Sequence, residues 1–454
     1  MHRFLVSAAH KSSGKTTLSV GLAAALRRRG LAVQTFKKGP DYIDPLWLAL
    51  ASGRPCRNLD FYVASPGEIV ASFSGHGAAA DACLIEGNKG LYDGLDLDGS
   101  NSNAALAKLL DTPVVLVIDA RGMTRGIAPL ILGYQAFDPQ VRFAGVVLNR
   151  LGGSRHEAKL RAVIEHYTGV PVLGALHEDP AIGIFERHLG LVPANETAAS
   201  AARIEAIGAA VERQVDLAAL LERTRAAMPL PPAPSPVPPR GAADIRIGVA
   251  RDRAFGFYYA GDLEALEAAG AAIAPFDTLR DARLPQVDAL FIGGGFPECF
   301  AAGLEANAPL REEIRRRIER GMPAYAECGG LMYLARSISW KGERRGMVGA
   351  VPADVVMHER PTGRGYVRLE TTAGHPWGLA PGQEIRAHEF HYSSLEGLDP
   401  STPFAYRVRR GHGIDGSRDG IVIKNLLASY THLRAAGSCD WPARFVAFVR
   451  GTLA

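Results

Sequence analysis

The chain has 454 residues, 47% hydrophobic and 22% charged, with a formal net charge of +4 at pH 7. That length exceeds what one hydrophobic core usually serves, so two domains are expected. The small, dispersed charge excludes a nucleic-acid-binding stripe, and no apolar run is long enough to span a membrane.

The apolar run after Met1 is too short for a secretory signal. Cys56, Cys83, Cys299, Cys328 and Cys439 are widely spaced, with no Cys-x-x-Cys pair. Neither a disulfide framework nor a structural zinc site is expected, and a reducing cytoplasm fits. In chain order, FLVSA (4–8) reads as a buried strand, followed by a helix over 15–29 with Leu18, Leu22 and Leu26 on one face. Further strands are expected at 32–37, 82–87, 113–120, 143–150 and 171–176. Continuous apolar runs of this kind belong to a parallel sheet covered on both faces. A proline-rich stretch, 229–243, reads as an exposed linker between a domain at 1–228 and another at 244–454. The second half repeats the alternation, with strands expected at 245–250, 271–276, 289–295 and 323–330. The fold class is α/β, in two domains.

The segment SSGKTT carries Ser13, Gly14, Lys15, Thr16 and Thr17 between a strand and a helix. Backbone amides at such a loop attract phosphate, the lysine pairs with outer phosphates and the threonine hydroxyl suits magnesium. The usual loop has glycine where this chain has Ala9, and the plain alternative is a lysine at a helix start. Asp41 and Asp44 in KKGPDYIDP, and Glu86 after a strand, are the candidate carboxylates for a metal–triphosphate site. A turn with solvated acids is the alternative for the first two. The run EGNKGLYDG (86–94) reads as a loop over phosphates or substrate.

Cys328 lies in AYAECGGLMYL, where a strand meets a helix through two glycines, the arrangement of a nucleophile elbow. Gly294 and Gly295 in GGGFPE, with Gly329, are candidate oxyanion and glutamine-binding positions. His432 in SYTH is the candidate base, with His388 and His391 as alternatives. The other four cysteines read as structural.

Together these motifs, with RNLD (57–60), VVLVIDARG (114–122), AGVVLNR (144–150), ERHLGLVPA (186–194), AFGFYY (254–259) and HEFHYS, resemble the cobyrinic acid a,c-diamide synthase family over nearly the whole chain. The resemblance implies an N-terminal phosphate-loop domain similar to dethiobiotin synthetase and a C-terminal domain similar to class I glutamine amidotransferases. It implies ATP and glutamine as co-substrates, Mg2+ as cofactor and a tetrapyrrole polycarboxylate as acceptor, with a homodimer as an open assembly. Lys15 and Thr16 match the ATP site, Asp41, Asp44 and Glu86 its metal-site acids, and Asp93 a loop acid near substrate. Cys328 and His432 match the glutaminase nucleophile and base. Class I amidotransferases often carry a glutamate two residues past the histidine. Here that residue is Arg434, so a dyad is expected with its orienting group open. The implied chemistry is release of ammonia from glutamine at Cys328, activation of a carboxylate as an acyl phosphate, and a sheltered path for ammonia.

Corrinoid-amidating members usually read close to EGVMGLYDG, whereas this chain has Asn88 and Lys89 in that loop, ahead of Tyr92 and Asp93. That departure supports tetrapyrrole side-chain amidation more firmly than any one acceptor: cobyrinate or hydrogenobyrinate is expected, with sirohaem or a related tetrapyrrole as the alternative. A nucleotide-switch ATPase that dimerises around ATP is a different class. It would need a lysine where His10 stands, and it leaves the cysteine–histidine domain without a role. A synthetase using free ammonia, with an inactive glutaminase domain, is a third reading, opposed by the intact AECGG and His432.

Overall fold

The computed structural model describes residues 1–184, 186–187, 190–196, 199–226 and 243–453. The chain divides into two compact units, Met1–Pro236 and Val237–Ala454. The expected linker at 229–243 lies, apart from Ala243, outside the described residues. No helix among the described residues is long and apolar enough to cross a membrane.

In the first unit seven parallel strands form one sheet. They are β1 (His2–Ala8), β2 (Val33–Lys38), β3 (Arg57–Leu59), β4 (Ala82–Glu86), β5 (Val114–Asp119), β6 (Phe143–Leu151) and β7 (Val172–His177), in the order β3-β2-β4-β1-β5-β6-β7. Side chains of β1 alternate between two cores. Phe4, Val6 and Ala8 join one cluster and Leu5 the other, all fully buried. A strand covered on both faces has no polar face to show, which is why its middle, Phe4–Val6, is an unbroken apolar run. Helix α1 (Lys15–Arg28) lies between the sheet and α3 (Ser200–Gln214), and buries Leu18, Leu22 and Leu26 as the sequence periodicity predicts. Helix α2 (Ile43–Ser52) follows β2. The strand order reverses about β1, so the ends of β1, β2 and β4 meet beside a topological switch point, where open α/β sheets bind ligands.

In the second unit a nine-stranded sheet is half parallel and half antiparallel. Strands β8 (Ile245–Ala250), β9 (Ala271–Phe276), β10 (Ala289–Ile292), β11 (Ala324–Glu327) and β16 (Leu426–Ser429) pair in parallel. Strands β12 (Gly363–Thr371), β13 (Glu384–His391), β14 (Phe404–Arg410) and β15 (Arg418–Ile423) extend the sheet in antiparallel fashion, in the order β9-β8-β10-β11-β16-β15-β14-β12-β13. The sequence motifs do not reveal this extension. Strand β12 alternates buried and exposed residues and is rich in arginine, so it presents no apolar run. The expected strands at 289–295 and 323–330 are shorter than predicted. The first stops at Ile292, and Gly294–Gly295 instead pair with Phe255–Phe257. The second stops at Glu327, because the chain turns at Cys328 and helix α4 (Gly329–Leu334) begins at once.

Candidate functional site

The candidate nucleotide residues gather at the carboxyl end of the first sheet. After β1 the chain loops over to α1, and Gly14, with φ +92°, makes the turn. A side chain at Gly14 would begin 2.0 Å from Asn149 Nδ2, which donates to the Ser13 carbonyl at 2.8 Å. Asn149, at the end of β6, thus fastens the loop from below. Lys15 Nζ reaches the His10 carbonyl at 3.4 Å, and burial beside Lys37 pushes its pKa down to about 8. The Thr16 hydroxyl donates to Glu86 Oε1 at 2.8 Å. Ser13 itself is buried, its hydroxyl donating to the His10 carbonyl at 2.9 Å.

The three candidate acids are brought together by a residue the sequence reading passed over. Lys37, at the end of β2 with a 3% exposed side chain, is ion-paired to Asp44, lies 3.0 Å from Glu86 Oε1 and 3.7 Å from Asp41. Burial disfavours its charge, but Asp44, Glu86 and Asp41 outweigh that and hold its pKa above the usual lysine value. Asp44 is lowered in return, Lys37 overcoming the effect of burial. Burial and the neighbouring Asp44 push Asp41 up to about 6, and burial pushes Glu86 up to about 8. Asp41 also accepts the amides of Ile43 and Asp44, so it fixes the start of α2.

A cleft of about 500 Å³ opens above these groups, lined by Gly14, Lys15, Thr16, Thr17, Asp41, Asp44, Glu86, Asn88, Lys89 and Arg150 among others. Tyr92 and Asp93 are not in its lining. Tyr92 donates to the Tyr134 carbonyl at 2.5 Å, and Asp93 Oδ2 accepts the Gly90 amide at 2.8 Å, so both brace the loop that presents Asn88 and Lys89. Asn88 Oδ1 accepts from Lys38, whose pKa burial pushes down to about 8. Among the described residues no three His, Cys, Asp or Glu side chains form a ready-made metal cluster. The oxygen donors nonetheless suit magnesium. Glu86 Oε2 is buried without a hydrogen-bond partner beside the Thr16 hydroxyl and Asp44, and Mg2+ takes few protein ligands, completing its shell with water and phosphate oxygens.

In the second unit Cys328 adopts φ 48°, ψ −102°, a conformation that costs a non-glycine residue roughly 1–3 kcal/mol. It is held there by β-sheet hydrogen bonding, the Cys328 amide donating to the Ser429 carbonyl at 2.7 Å. A side chain at Gly330 would begin 2.0 Å from the Ile292 carbonyl, which explains the glycine after the turn. The same packing sets Gly329 against Gly295, whose amide lies 2.9 Å from where a Gly329 side chain would begin. His432 Cε1 stands 2.7 Å from the equivalent point on Gly294. Gly294 and Gly295 thus lie between His432 on one side and the residue after Cys328 on the other. Burial, then the charge of Glu298, push the thiol up, so the resting group is a neutral thiol that donates to the Phe390 carbonyl at 3.7 Å.

His432 Nδ1 lies 3.3 Å from Glu327 Oε2. His388 stacks on the His432 ring with centroids 5.0 Å apart, and its pKa is held well below the usual value, first by burial and then by His432 and Arg434. His391 Nδ1 is engaged with the Ser393 carbonyl at 2.9 Å, its ring stacked on Tyr430. Cys56, Cys83, Cys299 and Cys439 are in no disulfide among the described residues, and burial pushes Cys83 and Cys439 up to about 12. Lys37 lies in KKGPDYIDP and Glu327 in AYAECGGLMYL. Their signal was position, the last residue or two of a strand leading into a site loop.

Residues 5–191 match the profile of the CobQ/CobB/MinD/ParA nucleotide binding domain, and residues 246–438 that of the CobB/CobQ-like glutamine amidotransferase domain. The chain is similar to the cobyrinate a,c-diamide synthase of Magnetococcus marinus, 47% identical over 99% of this chain and 97% of that one. It is also similar to the cobyrinate a,c-diamide synthases of Methanosarcina acetivorans, 42% identical over 95% and 92% of the two chains, and of Methanothermobacter thermautotrophicus, 41% identical over 98% of each.

Proposed function

The chain belongs to the cobyrinate a,c-diamide synthase family, and from that premise we propose that it amidates the a and c acetate carboxylates of cobyrinic or hydrogenobyrinic acid through acyl phosphates. It is a glutamine-dependent, amide-forming ligase that takes ATP and glutamine as co-substrates and a tetrapyrrole as acceptor, in cobalamin biosynthesis.

The observation that supports the activating half is the convergence of Lys15, Thr16, Lys37 and Glu86 at one cleft. Gly14, Lys15, Thr16 and Thr17 cradle the phosphates, with Ser13 and Asn149 shaping the loop. Thr16, Asp41, Asp44 and Glu86 would hold Mg2+, and bound magnesium would supply positive charge against the triphosphate. Lys15 and Lys37, both in the lining of the cleft, are the cations that would face the triphosphate, Lys37 being paired with Asp44 and Glu86. The substrate carboxylate attacks the γ-phosphorus and ADP leaves. Lys89 and Asn88 face the incoming acetate, while Tyr92 and Asp93 set their loop.

In the glutaminase half, Cys328 gives its proton to His432 and attacks the glutamine amide. Backbone amides at Gly294, Gly295 and Gly329 are the proposed oxyanion and glutamine-binding groups. Ammonia leaves with the proton from His432, and water releases glutamate from the thioester. Ammonia then displaces phosphate from the acyl phosphate and leaves the amide. The two halves correspond to domains at 1–228 and 244–454, and the proposed assembly is a homodimer.

Asn88 and Lys89 keep a sirohaem-type acceptor as the second reading, since an added cation in the substrate loop suits a different set of acetates. Mass spectrometry of the purified protein with ATP, magnesium and glutamine, offered cobyrinic acid and sirohaem in parallel, decides. Two amides on cobyrinic acid alone support the proposal, and amidation of sirohaem alone replaces it.

A further inference from the structure

We infer that Glu327, the residue before the proposed nucleophile, is the positioning carboxylate that orients His432 and balances its charge during glutamine hydrolysis. The inference rests on the reading of Cys328 and His432 as the glutaminase pair, and names the third group that reading leaves open.

The position two residues past the histidine holds Arg434, whose guanidinium lies over the Tyr259 ring at 5.1 Å. A cation there cannot do a carboxylate's work. Glu327 meets the need from another part of the chain. Its Oε2 lies 3.3 Å from His432 Nδ1, with both side chains 3% exposed. Its Oε1 accepts the Tyr325 hydroxyl at 2.5 Å and the Leu433 amide at 2.9 Å. The carboxylate is thus anchored by one oxygen and presents the other to the imidazole.

Backbone pairing sets this distance. Glu327 ends β11 and pairs in register with Ser429 of β16, three residues before His432. The next residue, Cys328, makes the sharp turn into the following helix. One strand end therefore supplies both the nucleophile and the acid that serves its base. A carboxylate accepting from Nδ1–H leaves Nε2 with its lone pair, ready to take the thiol proton, and steadies the imidazolium that forms. Cys328, whose thiol burial holds protonated, needs such a base.

The other groups around the pair are placed on every side. His388 from β13 stacks on His432, and the Tyr259 hydroxyl lies 3.3 Å from His388 Nδ1. Arg434 acts on His388, and Asp262, Cys328 and Tyr325 feel the charge of Glu327. Of these, Glu327 is the carboxylate in ion-pair reach of His432.

Glu327→Gln tests the inference, because glutamine keeps an oxygen for Tyr325 and Leu433 but carries no charge. With the full chain, glutamine-driven amidation should lose at least about 100-fold in kcat with little change in KM for glutamine. Ammonia-driven amidation should stay at the parent rate. The pH dependence of Cys328 alkylation by iodoacetamide should shift, its His432 limb moving to lower pH. A kcat within about fivefold of the parent, with an unchanged alkylation profile, would overturn the inference. Should the variant fail to fold, Glu327→Asp decides by the same readouts. A retained limb with reduced kcat supports the inference, and an unchanged kcat overturns it. Cys328→Ser in parallel separates the premise. If that variant still uses glutamine, the glutaminase reading itself fails, whatever Glu327 does.

Discussion

Replacing Lys37 by methionine removes one charge with little change in length. The lysine is the cation among Asp41, Asp44 and Glu86, with its side chain 3% exposed. Taking one partner from a buried ion pair costs about 3–5 kcal/mol, because the remaining charges are left without compensation. At about 1.4 kcal/mol per decade, native-state amide exchange at β2 and β4 should quicken by roughly 10²- to 4 × 10³-fold. Hydrogen–deuterium exchange read by mass spectrometry resolves those two strands without interference from the second unit. The same variant should lose amide synthesis with either glutamine or ammonia, while still hydrolysing glutamine. Protection of β2 and β4 within about tenfold of the parent, together with retained amide synthesis, would refute both the structural and the chemical role assigned to Lys37.

Cys328→Ala should abolish glutamine-driven amidation and spare the ammonia-driven reaction, measured as product at matched donor concentrations. Equal parent rates with the two donors, unchanged in the variant, would point to an inactive glutaminase domain. Lys89→Met should raise KM for the tetrapyrrole by roughly tenfold at unchanged kcat, as loss of one charge-assisted contact predicts. An unchanged KM would remove Lys89 from substrate recognition. Burial pushes Asp262 up to about 7 from the ordinary 3.8. The native state therefore holds a proton that the unfolded chain has released across that window. Stability from this group is full below about pH 4 and is lost as pH rises through 7, by roughly 4 kcal/mol in all. Asp262→Asn should flatten that slope, so that urea midpoints fall less between pH 5 and pH 8 than in the parent. Equal falls would contradict the assignment.

Much of the first unit was legible because a buried parallel strand writes itself as an apolar run. The expected strands at 82–87 and 143–150 lie within a residue of β4 and β6. The short edge strand β3 carries an arginine and an asparagine, so RNLD was seen as a motif and not as a strand. The antiparallel extension in the second unit was hidden for the same reason, since strands such as β12 and β13 alternate exposed and buried positions. In the candidate sites, the residues that stand out by their chemistry, Lys15, Glu86, Cys328 and His432, are the ones the sequence proposes. Lys37 and Glu327 were passed over because their significance is relational. A lysine matters here because three acids surround it, and a glutamate because strand pairing brings it to a distant histidine. Register of that kind depends on which strands are neighbours, which the local pattern does not state.

The central claim is that one chain activates a tetrapyrrole carboxylate with ATP before ammonia arrives. The most direct test uses acceptor labelled with oxygen-18 in its carboxylates, incubated with ATP, magnesium, glutamine and the purified protein. An acyl phosphate route transfers one labelled oxygen to inorganic phosphate for each amide formed, with ADP as the other product. Unlabelled phosphate beside a normal yield of amide, or AMP in place of ADP, would contradict it.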